Sequence, residues 1–341
     1  MALFNKPVNK KAVSEIAFKQ PRLFENEHGN QLFAGDKQAS LDSFFKFARE
    51  RHAIYLRRAA GLPKPWTNDW VLRNHRFCNI YRELDTVSEW ISNNIIKPYE
   101  DNPNLWFMLC VARYINWPDT LQALMDGGAW PEKTWNADKA FNIMNAIFKG
   151  DGKKKGKIFT GAYLINAAGA KKLPKGESTK ARHVVDVPLQ TAWDYRKEIA
   201  PTMKASMQEA RDALASVQGI GAFMAYQIIV DLSYSKKWLG KAKDINTFTS
   251  PGPGTCRGIS RVFYDVEFQP LPDAKRNEHM LELWHAANDS NKYWPNDATD
   301  PRKGYAPLSM SNCLNLNCEF DKYCRVIRGE GKTRSRYPGS M

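Results

Sequence analysis

ALASVQGIGAFMAYQIIVDLSY, Ala213 to Tyr234, is the stretch that decides the fold class. Apolar residues at helical spacing run up to Val217 and resume after Gly221. The stretch therefore predicts a helix, a hairpin turn at Gln218-Gly219-Ile220-Gly221 and a second helix starting near Ala222. Glycine at both ends of the turn permits positive φ and lets another group come close to the backbone. Ile220, between them, is placed to plug the angle where the two helices meet. The N–H groups that open the second helix, with the helix dipole behind them, form a ready site for a phosphate. The whole element, about residues 200–234, reads as a helix-hairpin-helix arrangement, which grips a nucleic-acid backbone without reading bases. Gln218, Gly219, Ile220, Gly221 and Ala222 are its expected DNA-contacting residues. The bland alternative is an ordinary tight turn between core helices.

Composition agrees with a polyanionic partner. The 341 residues carry a net charge of +14 and a pI near 9.4, and each phosphate neutralised by Lys or Arg releases counterions. With 43% apolar and 12% aromatic residues the chain can bury a sizeable core, which argues against disorder away from the ends. No apolar run reaches the ~18 residues that a membrane span needs. The opening MALFNKPVNKKAV lacks the apolar core of a signal peptide. Six Cys in a chain of this length do not make a disulfide framework, so a reducing cytosol is expected. There is no internal repeat at a solenoid period.

Working outward from the hairpin, residues 1–40 read as an arm or small cap, 41–326 as one helical domain and 327–341 as a basic, flexible tail. Helical patterns run from Leu41 to a stop at Gly61 and Pro63, from about Asp69 to Ile96, from Leu105 to Ile115, from Asp119 to Met125 and from Lys139 to Phe148. The stretch from Lys149 to Arg182 is basic on both sides of IFTGAYLINAAG, a short helix or strand. Lys153, Lys154 and Lys155 in its first loop are further expected DNA contacts.

Other constellations carry less. In base-excision glycosylases a helix-hairpin-helix element is followed by an Asp at the mouth of the base pocket. Asp244 lies at a comparable distance, although the residues around it differ from that pattern. Gly252, Pro253, Gly254, Arg257 and Gly258 resemble an anion-binding loop. Cys313, Cys318 and Cys324 lie close together, but an iron–sulfur cluster needs four thiolates and their spacing fits poorly. GDGKKKGKIFTG lacks one spacer and the Ser or Thr of a phosphate loop. His279 and His285, six apart on an expected helix, cannot share a metal face and read as structural.

Six segments, in order, resemble one phage-associated family: RFCNIYRELDTVSEWI (Arg76 to Ile91), LWFMLCVARYINWPDTL (Leu105 to Leu121), IFTGAYLI (Ile158 to Ile165), GIGAFMAYQIIVDLSY (Gly219 to Tyr234), GPGTCRG (Gly252 to Gly258) and CEFDKYCR (Cys318 to Arg325). They look like the alpha-glutamyl/putrescinyl thymine pyrophosphorylases, or amino acid:DNA transferases. A related helical domain is fused to phage 5-hydroxymethyluracil DNA kinases. The resemblance implies a mainly α, two-lobed fold like the helix-hairpin-helix DNA glycosylases, with minor β. It also implies a viral protein of the host cytoplasm that hypermodifies thymidine in phage DNA. In that scheme a kinase makes the pyrophosphoryl ester of 5-hydroxymethyluracil in DNA, and the transferase replaces pyrophosphate with an amino acid or a polyamine. The absence of a kinase segment points to the free-standing transferase branch, with a hydroxymethyluracil DNA kinase as its expected partner.

That chemistry needs a cationic cradle for pyrophosphate, a carboxylate to take a proton from the nucleophile, and a pocket for an extruded base. Arg76, Asn79 and Glu83 are spaced to share one face of a helix, with Arg82 and Asp85 pointing elsewhere in support. Arg257 is expected at the leaving-group oxygens, and Glu319 with Lys322 at the nucleophile or as scaffold. No cofactor and no metal-ligand cluster shows in the sequence, so any Mg would ride on the pyrophosphate. Two other readings stay open: a glycosylase that depends on Asp244, and a non-catalytic DNA-binding module that partners the kinase.

Overall fold

The structure, a computed structural model, describes residues 37–150, 156–161, 165, 167, 170 and 173–330. The chain divides into two compact units. One takes the residues up to Asp85 together with those from Pro251 onward; the other is the continuous stretch Thr86–Ser250.

The first unit opens with α1 (Lys37–Ala59), which starts four residues ahead of the expected Leu41 and stops before Gly61, where φ is +72°. Residues 37–40 thus belong to a helix, and the rest of the expected arm lies outside the described residues. Phe44, Phe45 and Phe47 are buried on α1. The helix predicted from Asp69 to Ile96 is broken. Asp69 caps a short α2 (Trp70–Asn74) by accepting from the Leu72 N–H at 2.8 Å. Residues 76–81 then lack regular structure, and Arg82–Leu84 make a single 3-10 turn. The periodicity was overruled because the backbone here finds other acceptors. The N–H groups of Cys78, Asn79 and Arg82 donate to the side chains of Glu319, Asp85 and Asn312.

The second unit begins with α3 (Thr86–Ile91), continued by a π turn at Ser92–Ile96. α4 (Leu105–Ile115) has the predicted bounds, and all of its residues are buried. Such a helix must be apolar all round, with Arg113 as its one charged residue. Asn116 ends it in the left-handed region (φ 50°), and Pro118 opens α5 (Pro118–Asp126) at a position that needs no donor. α6 (Ala137–Lys149) follows. α7 (Thr179–Val184) runs through a π turn at Val185–Leu189 into α8 (Gln190–Asp194), and α9 (Arg196–Ile199) is a single turn. α10 (Met207–Ala215) and α11 (Ala222–Leu232) flank the Gly-Ile-Gly turn. Arg113 donates through Nε and, at 2.5 Å, through Nη2 to the carboxylate of Asp231 on α11. Asn116 and Ser88 accept its remaining bonds at 3.1 Å each.

The chain then returns to the first unit with α12 (Pro253–Tyr264), α13 (Asp273–Asn288) and α14 (Met310–Ile327). α12 and α14 pack backbone to backbone. A Cβ on Gly258 would lie 2.2 Å from the Asn317 carbonyl oxygen, and one on Gly254 would lie 2.5 Å from Cys318 Sγ. Phe320 and Tyr323 of α14 meet Phe44 and Phe47 of α1 at ring-centroid distances of 4.9–5.6 Å.

The molecule is mainly helical, and no strand occurs among the described residues, so the expected minor β is absent there. Of the IFTGAYLI segment, residues 158–161 are neither helix nor strand. The tail expected from Ile327 is anchored at its start: Arg328 pairs with Asp265, and Glu330 accepts from Arg261 at 2.5 Å. Residues 331–341 lie outside the described ones. No described helix is long and apolar enough to cross a membrane.

Candidate functional site

In the first unit the stretch 76–85 lies along α14, and the two elements between them carry Arg76, Asn79, Arg82, Glu83, Asp85, Glu319 and Lys322, all singled out from the sequence. Arg76, Asn79 and Glu83 do not share a helix face, because the stretch is not a helix. Tertiary bonds tie Arg76 and Asn79 to α14 instead. Glu319, nearly buried, accepts the Cys78 N–H at 2.8 Å and pairs with Lys322 at 2.7 Å. Lys322 also donates to the Arg76 carbonyl at 3.1 Å and lies 4.8 Å from the centre of the Phe77 ring. Asn79 is fixed from every side. Its N–H donates to Asp85 at 2.9 Å, its Nδ2 to the Leu84 carbonyl at 2.8 Å, and its Oδ1 accepts from buried Arg51 at 2.9 Å. Arg76 projects an exposed side chain from the same stretch.

The carboxylates here are not ordinary. Burial pushes Asp85 up to about 6, against the pull of its bond from Asn79 and the charge of Arg51. Burial likewise raises Glu83, whose Oε2 is enclosed without a hydrogen-bond partner. Burial draws the Lys322 ammonium down, but the Glu319 carboxylate more than offsets this. Cys78 keeps part of its surface open, yet its thiol is pushed well up, chiefly by the Glu319 carboxylate and then by crowding. It is no thiolate.

Next to this cluster, fully buried Asp321 on α14 is met by three guanidinium groups. Arg257 Nε and Arg261 Nε lie at 2.9 Å and Arg325 Nε at 3.2 Å. Arg257, partly exposed, uses only Nε in this contact. Gly252 to Gly258 do not form the expected loop: Gly252 caps α12, and the rest are its first two turns. The glycines allow close approach to α14 rather than wrapping an anion. Cys313, Cys318 and Cys324 all lie on α14 as free thiols, and the described residues contain no group of three or more metal-ligating side chains.

In the second unit the hairpin turn stands open. Gly219 takes φ +84°, Ile220 is buried between the helices, and Gln218, Gly221 and Ala222 are exposed. No side chain caps the start of α11, so its first N–H groups face outward. Tyr114 at the end of α4 donates to the Gly219 carbonyl at 2.6 Å and fixes the turn. Asp244 is occupied elsewhere. Its two oxygens accept the N–H groups of Met207 and Gln208 at 2.8 and 2.9 Å, so it caps α10 instead of waiting as a free base. Lys153, Lys154 and Lys155 lie outside the described residues.

Residue patterns did not single out Arg51, Arg113, Asp231, Arg261 or Asp321. The available signal was a charged residue inside an apolar helical run, which needs a buried partner.

A mainly helical chain, with no strand among the described residues, an arginine–carboxylate network in one unit and an exposed glycine turn in the other, is a helical domain, not an alternating α/β nucleotide-binding fold. It belongs to the family described as "5-hmdU DNA kinase, helical domain", which it matches over residues 38–333. A 5-hmdU DNA kinase of Bacillus phage SP10 is 27% identical over 240 residues, covering 67% of this chain and 37% of that protein. The chain thus spans little more than a third of that relative's length. No solved structure matches it.

Proposed function

We propose that the protein acts in phage thymidine hypermodification, as a transferase that displaces pyrophosphate from a pyrophosphoryloxymethyl-uracil in DNA with an amino acid or polyamine. The observation that carries this reading is the set of bonds that ties the stretch Arg76 to Asp85 to Glu319 and Lys322 of α14, with Asp85 raised by burial and Arg257 on Asp321 of the same helix. Membership in a family named for a kinase of 5-hydroxymethyl-deoxyuridine in DNA supplies the substrate class.

In the reaction the amine nitrogen forms a bond to the methylene carbon on the pyrimidine ring. The carbon–oxygen bond to pyrophosphate breaks, and its electron pair leaves on the pyrophosphate oxygen. Arg76, Lys322 and Arg257 offer positive charge to that oxygen and its neighbours. Asp85, with a pKa of about 6, is ionised at neutral pH and basic enough to take the proton the amine loses. Asn79 and Glu319 hold Asp85 and Lys322 in place. A divalent ion, if the pyrophosphate carries one, would add charge neutralisation. The Gly219–Gly221 turn serves as the helix-hairpin-helix grip on duplex DNA, and the target base is extruded.

The test uses duplex DNA bearing pyrophosphoryloxymethyl-uracil, the purified protein and a pool of amino acids and polyamines, with nucleosides of the digested product read by mass spectrometry. A new thymidine adduct with release of pyrophosphate is expected. Free base or abasic sites would make the protein a glycosylase. Bound but unchanged DNA would leave a binding module.

A further inference from the structure

The stretch from Lys149 to Arg182 is basic as a whole, but its charges are not equivalent. Arg182 is neutralised by Asp138 and Asp186, each at 2.6 Å, and Lys149 lies 3.9 Å from Glu177. Lys157 and Lys180 have no carboxylate partner among the described residues. Each instead sits over an aromatic ring: Lys157 Nζ is 3.5 Å from the centre of Trp117, and Lys180 Nζ is 4.8 Å from the centre of Phe159. Partial burial lowers the pKa of Lys180, the sign of an ammonium held partly out of water.

Their position gives them meaning. The segment 156–161 is tied to the end of α4 and the start of α5: Thr160 N–H donates to the Ile115 carbonyl at 3.4 Å, and Thr120 Oγ1 to the Ile158 carbonyl at 3.0 Å. Ile115 is the chain neighbour of Tyr114, whose hydroxyl holds the Gly219 carbonyl. On the other side, α7 carries Lys180 and runs on into the Val185–Leu189 turn. There Val187 and Pro188 press on Gly219, 3.2 Å from where its Cβ would be. The glycine turn, Lys157 and Lys180 are thus hung on adjacent residues of one scaffold within the second unit.

We propose that Lys157 and Lys180, seated on Trp117 and Phe159, form a second phosphate-binding stretch that takes the DNA backbone running on from the Gly219–Gly221 turn. This rests on the turn being a DNA grip, and it adds where the strand goes next. The rings are half-buried and carry the ammonium groups on their faces, so the cations are held in place before DNA arrives. The contact is to phosphate and carries no base preference.

The experiment measures binding of the full chain to unmodified duplex DNA by fluorescence anisotropy across a salt series. Three variants are compared with the wild type: Lys157→Gln with Lys180→Gln, Lys157→Arg with Lys180→Arg, and Gly221→Glu. The last places a negative charge at the exposed start of α11, where a Cβ meets nothing. Melting curves establish that each variant folds. The glutamine pair is expected to bind more weakly, with the slope of log K against log salt shallower by about 1.8, or ~0.9 per lost phosphate contact. The arginine pair is expected to restore that slope. If Gly221→Glu weakens binding while the glutamine pair keeps the wild-type slope and affinity, the second stretch is overturned and the turn stands. If the wild type does not bind DNA, or Gly221→Glu binds as well as the wild type, the turn reading falls and takes this proposal with it.

Discussion

Asp85 and His52 are both enclosed ionisable residues of the first unit, and they drive stability in opposite directions with pH. His52 Nε2 lies 2.7 Å from the Gly304 carbonyl, and burial lowers its pKa to about 4. A histidine depressed in the folded state binds a proton more readily when unfolded, so stability falls as pH drops from about 6.5 toward 4. The loss is roughly 3 kcal/mol if the shift is fully expressed. His52→Gln, which keeps a donor for Gly304, should flatten that part of a denaturation-versus-pH curve. Asp85 is the reverse case. Its folded pKa is raised to about 6, so the ionised form strains the fold, and stability is lost as pH rises through the window from 3.8 to about 6. Asp85→Asn is expected to melt higher than the wild type at pH 7 and alike at pH 4. In the proposed reaction the same substitution should abolish the rise in kcat/KM through pH 6 and cut activity by 10²-fold or more, on the order of a lost general base. Higher stability with retained activity would remove Asp85 from the chemistry.

At the scale of elements, the two helix pairings have different weak points. α4 and α11 are joined by Arg113 and Asp231, both buried. Removing one partner strands the other charge, so Arg113→Met or Asp231→Asn should cost about 3–5 kcal/mol in urea denaturation. Replacing both by apolar residues should recover most of it. α12 and α14 depend on a missing side chain. Gly258→Ala pushes a methyl into the Asn317 carbonyl and should cost about 1–3 kcal/mol net, the ~1 kcal/mol of helix propensity that Ala gains offsetting only part of the clash. These pairings also explain how much was legible. α4 and the turn between α10 and α11 followed from periodicity and glycine placement, because those stretches satisfy their backbones locally. The stretch 76–84 did not, since its N–H groups bond to Glu319 and Asn312, more than two hundred residues along the chain. No local pattern encodes such a partner. Gly252 to Gly258 misled for a related reason: glycines that let two helices touch look, in sequence, like glycines that wrap an anion.

For the molecule as a whole, the residues picked out for chemistry fall in the first unit apart from Asp244, and the expected DNA-gripping turn falls in the second. The proposed division of labour predicts that changes at Lys322 or Arg76 leave the affinity for unmodified duplex DNA within about twofold of the wild type while abolishing adduct formation. Gly221→Glu should weaken binding and turnover together, since an unbound duplex cannot react. Gel-shift titrations beside the mass-spectrometric assay read both quantities from the same preparations.

The first unit is assembled from both ends of the chain around the continuous stretch 86–250. On the ribosome its leading part, α1 and α2, must therefore wait unpaired until α12 and α14 have been synthesised, with Phe44, Phe45 and Phe47 exposed in the interval. The stretch 86–250 has all its partners much sooner. A chain stalled or cleaved near residue 250 should accordingly hold a folded second unit attached to an aromatic, aggregation-prone N-terminal region. Chaperone demand during expression should then concentrate on residues 37–85.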